Sequence, residues 1–402
     1  MSEALIYGGV RSPRTRAKAD GGLHDVTPHE LLAQLYRALQ ERTDLNPRNI
    51  DEAILGCVTQ YGEQAGNIAK ASTLYAGWPF EIAGLTVNRY CSSGLDAVAL
   101  AAMKINVGAA RQMLAGGIEM MSRVPMMTDE ARVFKDPDFA MQCRVLLMGS
   151  GADLIASRAG VSRKDADTVA FNSQQRSAHA RAQGYFAKSI VPIRTPTGVA
   201  REDECIRPAT TMEGLAAMEP VFAKIGAAGA DAFQLASSPG LDAIEHIHTA
   251  GNSPAMADAA CVLLLGDQSS AGTLGVAPRA RIASSITVAE DPLEVLTGCV
   301  KAVRALLDKT GLSVDDIDLF EIHEAFAATS VVAEREFGID GARHNVNGGV
   351  IALGHPMGST GAILTLTLLD ELERRGLRRG IVSTAGAAGS GSALLIDRDL
   401  SA

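Results

Sequence analysis

What the chain lacks narrows it first. No run approaches the 18 apolar residues of a membrane-crossing helix. The start, Met1-Ser-Glu running straight into a strand-like Ala4–Val10, shows no secretory leader pattern. Basic charge is in deficit, with 37 Lys and Arg against 46 Asp and Glu and a net charge of −9. That argues against nucleic acid or an anionic membrane as the main partner. The six cysteines (57, 91, 143, 205, 261, 299) are scattered with no C-x-x-C pair. Neither a disulfide framework nor a zinc ribbon is indicated, and free thiols in a reducing cytoplasm are expected. Aromatics are few, at 4%, while 40 glycines and 47% hydrophobic residues suit a tightly packed α/β protein. At 402 residues the chain exceeds one ordinary core, so two or three domains are expected.

What is present is organised around Thr86–Leu95, a β-branched pair followed by Asn88-Arg-Tyr-Cys-Ser-Ser-Gly94. A helical stripe then runs through Leu95, Val98, Ala102 and Ile105. The pattern predicts strand, tight turn and helix, with Cys91 on the turn and Ser92, Ser93 and Gly94 free to cap the helix. A thiol at a helix N-terminus meets the positive end of the macrodipole, which can lower its pKa from about 8.5 to roughly 3.5–7.5. On this stretch alone a buried structural cysteine is the commoner reading.

The chain also repeats itself. Ala38, Leu39, Thr43, Leu45, Ile50 and Asp51 recur as Ala305, Leu306, Thr310, Leu312, Ile317 and Asp318, all at an offset of 267 residues. At that offset Ser92-Ser93-Gly94 falls on Ser359-Thr360-Gly361 and Arg111 on Arg378. This predicts a duplicated α/β domain, each copy with a mostly parallel sheet and crossover helices. The expected copies are 1–120 with about 250–275, and 276–402. Between them, 121–249 is Met-rich and charged, with one clear helix opening on the capping-box form Ser162-Arg-Lys-Asp165 and running to about Gly184. A lid over a binding site is expected there, with a purely structural subdomain or oligomer contact as the alternative.

Three further stretches carry chemistry. His355 lies in Asn345-Val-Asn-Gly-Gly-Val-Ile-Ala-Leu-Gly-His-Pro356, where neither helix nor central strand continues. If the two copies pack about a pseudo-twofold axis, it is placed to face Cys91 as a general base. His323 follows a predicted strand in His323-Glu-Ala-Phe326; the metal motif H-E-x-x-H is absent. Ser383–Gly391 is a loop of small residues whose lack of bulk permits close backbone approach to a ligand. It is not a dinucleotide fingerprint, since a strand-like Ala393–Ile396 follows it.

These blocks, with Ala115-Gly-Gly-Ile-Glu-Met-Met-Ser122, Thr249-Ala-Gly-Asn252 and Met148-Gly-Ser-Gly-Ala-Asp153, resemble the signature segments of the thiolases along essentially the whole chain. The resemblance implies layered α-β-α-β-α halves with an inserted lid. It implies a transferase acting on acyl-CoA or 3-ketoacyl-CoA, with coenzyme A as substrate and no further cofactor. Cys91 would be the nucleophile and His355 its base. Backbone N–H groups of Cys91 and Ala387 would form one oxyanion hole, and His355 with His323 or a water the other. Pantetheine and acyl contacts map to Met148, Ala250, Ser253, Ala325 and Phe326. A homodimer or homotetramer is implied, with a fatty-acid-oxidation partner subunit possible through the His-Glu-Ala-Phe segment.

Three positions depart from the family pattern. Thiolases hold a second, proton-transferring cysteine in a Cys-x-Gly-Gly-Gly-x-Gly-type loop, and alignment on Gly391 puts Ala385 there. Glu219 stands where a basic residue precedes Pro220 near the CoA nucleotide, and Pro254 where many members carry serine. A Cys-His-His set without the extra thiol is also the pattern of decarboxylating ketoacyl synthases. Three readings follow: a thiolase-type acyltransferase, a decarboxylative condensing or acyl-transfer/hydrolysis enzyme, and a catalytically weakened partner subunit.

Overall fold

The computed structural model describes residues 2–401. Among the described residues twelve strands form: β1 (Leu5–Arg11), β2 (Thr15–Arg16), β3 (Glu52–Gly56), β4 (Ala83–Val87), β5 (Gln112–Met120), β6 (Ile193–Thr195), β7 (Gly198–Ala200), β8 (Ala257–Gly266), β9 (Ala280–Ala289), β10 (Leu319–Ile322), β11 (Arg379–Ala385) and β12 (Ser390–Asp397). The main sheet runs β10-β11-β12-β9-β1-β8-β5-β3-β4, with β2 beside β8. A short antiparallel contact, Leu5 opposite Arg281 and Ile6 opposite Ala280, joins its two halves.

The duplication is visible in the bonding. Asp51 Oδ2 accepts from the Arg111 and Gln112 N–H groups at 2.6 and 3.2 Å. One repeat later, Asp318 Oδ2 accepts from those of Arg378 and Arg379 at 2.9 and 2.8 Å. Both aspartates follow short 3₁₀ turns, Pro47–Asn49 and Val314–Asp316, at the same offset. One element breaks the symmetry. The counterpart of β4 is the single turn of helix Val350–Leu353, and only a bridge from Phe320 to His344 flanks β10 there.

The mostly parallel sheets expected from the sequence are not what forms. In the first half β3 pairs in parallel with β4 and β5, but β8 is antiparallel to both β5 and β1. In the second only β10 and β11 are parallel. The physical reason is connectivity. β12 returns from β11 through a four-residue turn, too short for the crossover a parallel pair requires.

Five layers result. The helices Ser93–Asn106 and Met357–Arg375 lie between the two half-sheets, in one core with Ile54, Met113 and Leu263 on one side and Val382, Leu394 and Ile396 on the other. Pro28–Thr43 covers the outer face of the first half and Gly298–Thr310 that of the second. The central helices meet backbone to backbone at symmetry-related glycines. A Cβ on Gly94 would stand 2.6 Å from Gly358 O, and one on Gly361 would stand 2.4 Å from Leu95 N. This close approach draws the two helix N-termini, and the loops before them, together.

The stretch 121–249 holds the expected helix, Arg163–Ala182, with the capping box between Ser162 and Asp165 in place. With Met148–Ala159 it packs on Ala325–Ala328, Val331 and Ile351 of the second half.

Candidate active site

Cys91 sits on the turn between β4 and the Ser93–Asn106 helix, preceded by Tyr90 at φ 50°. Positive φ on a bulky residue is costly, and here the surroundings hold it. Asn88 Oδ1 accepts from Tyr90 N–H at 2.8 Å, and Ser93 Oγ accepts from Arg89 N–H at 2.8 Å. Ser92 and Ser93 do not cap the helix as expected. Ser92 Oγ donates to Thr384 O (3.2 Å), tying the turn to the end of β11 in the other half.

His355 follows Gly354, and its N–H donates to Ala255 O at 2.7 Å. Its Nε2 lies 3.2 Å from Cys91 Sγ and its Nδ1 2.8 Å from Thr360 Oγ1. The thiol donates to Nε2, which puts the ring proton on Nδ1, facing Thr360. Side chains 264 residues apart in sequence thus make the contact that the pseudo-twofold packing predicts.

The electrostatics differ from expectation. Cys91 is buried, and its pKa is pushed up to about 12, by burial first and by the Glu119 carboxylate second, with its own N–H opposing. The helix terminus does not outweigh the loss of hydration. Burial, reinforced by His323 and Arg14, holds His355 well below the usual histidine value. The resting pair is therefore a neutral thiol and a neutral imidazole. Under it lies Glu119, whose carboxylate accepts from Val58 N–H, Thr59 N–H, Gln64 Nε2 and Gly358 N–H at 2.9–3.0 Å. It staples the loop after β3 to the start of the Met357–Arg375 helix.

His323 follows β10, whose last residue is clamped by Asn345. The Asn345 Oδ1 accepts from Ile322 N–H (3.0 Å) and its Nδ2 donates to Ile322 O (2.8 Å). His323 is buried, with its ring centroid 4.6 Å from that of His355 and its Nδ1 3.2 Å from Ala385 O. A carbonyl only accepts, so Nδ1 carries the proton. His323 thereby presents an acceptor at Nε2, not the donor that an oxyanion site requires.

The other expected residues divide. Met148 packs on Cys91, Met121 and Met357. Ala387 is buried, and among the described residues neither its N–H nor that of Cys91 donates to another residue. Ala325 and Phe326 are buried under the lid helices, Phe326 edge-on to His248 and Phe222. Ser253 and Pro254 are half-buried beside Ala255, whereas Ala250 and Glu219 lie exposed. Ala385 is buried at the end of β11, with a methyl where the resemblance implies a thiol. Glu324 accepts from Ser173 Oγ (2.9 Å) and Ile351 N–H (3.2 Å), pinning the lid.

Sequence reasoning missed Glu119, Asn345 and Thr360 as parts of the site. Glu119 had a signal: it is the one charged residue in the buried strand Gln112–Met120.

Known proteins resemble this chain along nearly its whole length. The family model "Thiolase, N-terminal domain" matches residues 5–236 and "Thiolase, C-terminal domain" matches 276–398. The 3-ketoacyl-CoA thiolase of Bacillus subtilis is 39% identical over 412 residues, covering 98% of each chain. The 3-oxoadipyl-CoA/3-oxo-5,6-dehydrosuberyl-CoA thiolase of Escherichia coli is 36% identical over 422 residues, covering 99% of this chain and all of that one. Among solved structures, human mitochondrial 3-ketoacyl-CoA thiolase superposes with a TM-score of 0.85 at 31% identity, covering 99% of each chain. The Bacillus anthracis acetyl-CoA acetyltransferase does so at 0.84 and 33%, with the same coverage. With the two family models matched over 5–236 and 276–398, and relatives of this identity covering 98–99% of it, the chain belongs to the thiolase family.

Proposed function

We propose that this protein transfers acyl groups between CoA thioesters through an acyl-Cys91 intermediate, with 3-ketoacyl-CoA as the cleaved substrate. The observation that carries the reading is the 3.2 Å contact between Cys91 Sγ and His355 Nε2 across the two halves. As the sulfur attacks the 3-keto carbon, the thiol proton passes to His355 Nε2. The developing oxyanion faces the N–H groups of Cys91 and Ala387, a donor pair of which each member is worth about 10²–10³ in rate. Breaking the C2–C3 bond leaves acyl-Cys91 and the enolate of acetyl-CoA. His355 Nε2–H, now a donor, stabilises the thioester oxygen. That proton then passes to C2, giving acetyl-CoA; a second CoA thiol attacks the acyl carbon, the bond to Cys91 Sγ breaks, and the CoA proton returns through His355 to the sulfur.

The test begins with the intact mass of the protein after incubation with acyl-CoA, which should rise by one acyl group. The methyl at Ala385 favours a second reading, decarboxylative condensation, because that route makes its carbanion by losing CO₂ and needs no α-carbon base. Acetoacetyl-CoA plus CoA assayed against malonyl-CoA plus acyl-CoA separates the two. A weakened partner subunit has less support, since the nucleophile and its base are in contact.

The pH profile follows from the sign of the His355 shift. A base held below the usual histidine pKa of about 6.5 stays unprotonated further into acid. kcat/KM should therefore stay level down through pH 6.5 and fall only below it. The charged and titratable groups facing this imidazole are Cys91, His323, Arg14 and Glu119. An acid limb centred at 6.5 or above would show that the histidine is solvated in the working enzyme.

Assembly into a homodimer has its own support. β4 ends the sheet with its outer edge unpaired, and Tyr75, Phe80 and Leu85 near it are 57, 77 and 38% exposed. An open edge beside such an apolar patch favours pairing with a second copy. Tyr75→Asp with Phe80→Asp should convert a dimer to monomers on size-exclusion chromatography with light scattering; unchanged mass would place the interface elsewhere. The six free thiols, five of them buried, support a reducing cytoplasmic setting. Among the described residues no helix is long and apolar enough to cross a membrane.

A further inference from the structure

The thiol expected to move the α-carbon proton is missing at Ala385, and the neighbouring hydroxyls do not replace it. Ser383 Oγ donates to Cys299 O (2.7 Å), Thr384 Oγ1 to Ser92 Oγ (3.0 Å) and Ser390 Oγ to Ala387 O (3.0 Å). Of the titratable groups beside the Cys91–His355 pair, Glu119 is held by four donors and Arg14 is a cation, which leaves His323. Ala385 O fixes its proton on Nδ1, which leaves the lone pair on Nε2. That nitrogen is buried and has no hydrogen-bond partner among the described residues. Its ring lies against His355, 4.6 Å between centroids, and His355 in turn touches the nucleophile.

The geometry points to His323 Nε2 as the base that removes the α-proton of the acetyl thioester, in place of the absent thiol. This rests on the acyl-Cys91 reading above. In the condensing direction the C2–H bond breaks. The proton goes to Nε2, and the electron pair becomes the enolate. The enolate forms the new C–C bond at the carbonyl of acyl-Cys91, and the C–S bond breaks to release the Cys91 thiolate. The proton held by His323 returns to that sulfur, directly or through His355, and all groups regain their starting states. Burial supports the role. It depresses the His323 pKa to about 4, so the free base is present at neutral pH. The unmet hydrogen-bonding capacity of a buried Nε2 also has an explanation here, since such atoms are costly unless used.

The test is deuterium uptake into the methyl group of acetyl-CoA in D₂O, followed by NMR, alongside the intact mass of the same protein. Wild type should exchange. His323→Ala, and His323→Asn as a variant that keeps a polar group in the space, should slow exchange by about 100-fold or more. The intact mass of each variant should still show the acetyl group on Cys91, so that lost exchange is read apart from lost acylation. Adding Ala385→Cys to His323→Ala should restore exchange, which a merely structural role for His323 would not allow. Exchange at the wild-type rate in both His323 variants would overturn the assignment, as would a wild type that is acetylated on Cys91 yet exchanges nothing. A wild type never acetylated on Cys91 would overturn the acyl-enzyme reading itself, and this one with it.

Discussion

Cys91→Ala should abolish the acyl mass gain and lower kcat by on the order of 10⁵–10⁶, the scale seen when a covalent nucleophile is deleted. The expectation comes from the arrangement around the sulfur. Its S–H donates to His355, its own N–H is directed to no other residue, and Met148 of the lid packs against it. No other cysteine has this setting. Cys57 is buried near the same Glu119 and its thiol is likewise pushed up, but its sulfur contacts Thr59 O rather than a base. Cys57→Ala should therefore acylate normally, and Cys91→Ala should not. The variant loses only a sulfur from a small cluster, so its thermal midpoint should stay close to wild type and separate lost chemistry from lost folding. An acyl group found elsewhere on the Cys91→Ala protein, or activity within tenfold of wild type, would remove Cys91 from its role.

The resting thiol makes this prediction sharper. With its pKa near 12 beside a histidine of depressed basicity, the pair does not hold a standing thiolate. Alkylating agents that need a thiolate should thus react slowly with the free enzyme, and the proton should move only as substrate carbonyl charge develops against waiting N–H donors.

Much of this was legible in the sequence, for identifiable reasons. Asp51 and Asp318 are short side chains bonding two successive backbone N–H groups across a strand end, a contact that tolerates few substitutes, so the repeat kept its spacing. The Cys91–His355 contact could be anticipated because both residues lie just before helices that the repeat makes equivalent. Strand direction was not legible. Hydrophobic periodicity reports burial, while parallel or antiparallel pairing depends on the length of each connection. The protonation states were hidden for another reason. Cys91 at a helix start reads as activated until the lid is seen to exclude water, and burial then dominates. The tautomer of His323 was unreadable because it is set by a carbonyl at position 385, where side-chain identity carries no information.

Gly361→Ala should damage the protein through one added methyl group, and Gly94→Ala is its symmetry-related counterpart. The added Cβ at 361 would lie 2.4 Å from Leu95 N and 2.5 Å from Leu95 Cβ, and that at 94 would lie 2.6 Å from Gly358 O. Neither obstacle is the flexible end of a side chain, so the two central helices must separate. Forced overpacking of this kind costs about 1–3 kcal/mol, which should lower the thermal midpoint by several degrees. Activity should fall further than stability. The helices carry the turns that hold Cys91 and His355, so parting them lengthens the Sγ–Nε2 contact directly, and a displacement near 1 Å costs about 10² in rate. The loss should appear in kcat with KM little changed, because the backbone contact lies beneath the nucleophile and not in the lid. A Gly361→Ala protein with wild-type kcat would mean that the helices can part without moving the turns, and that the duplicated core does not set the Cys–His distance.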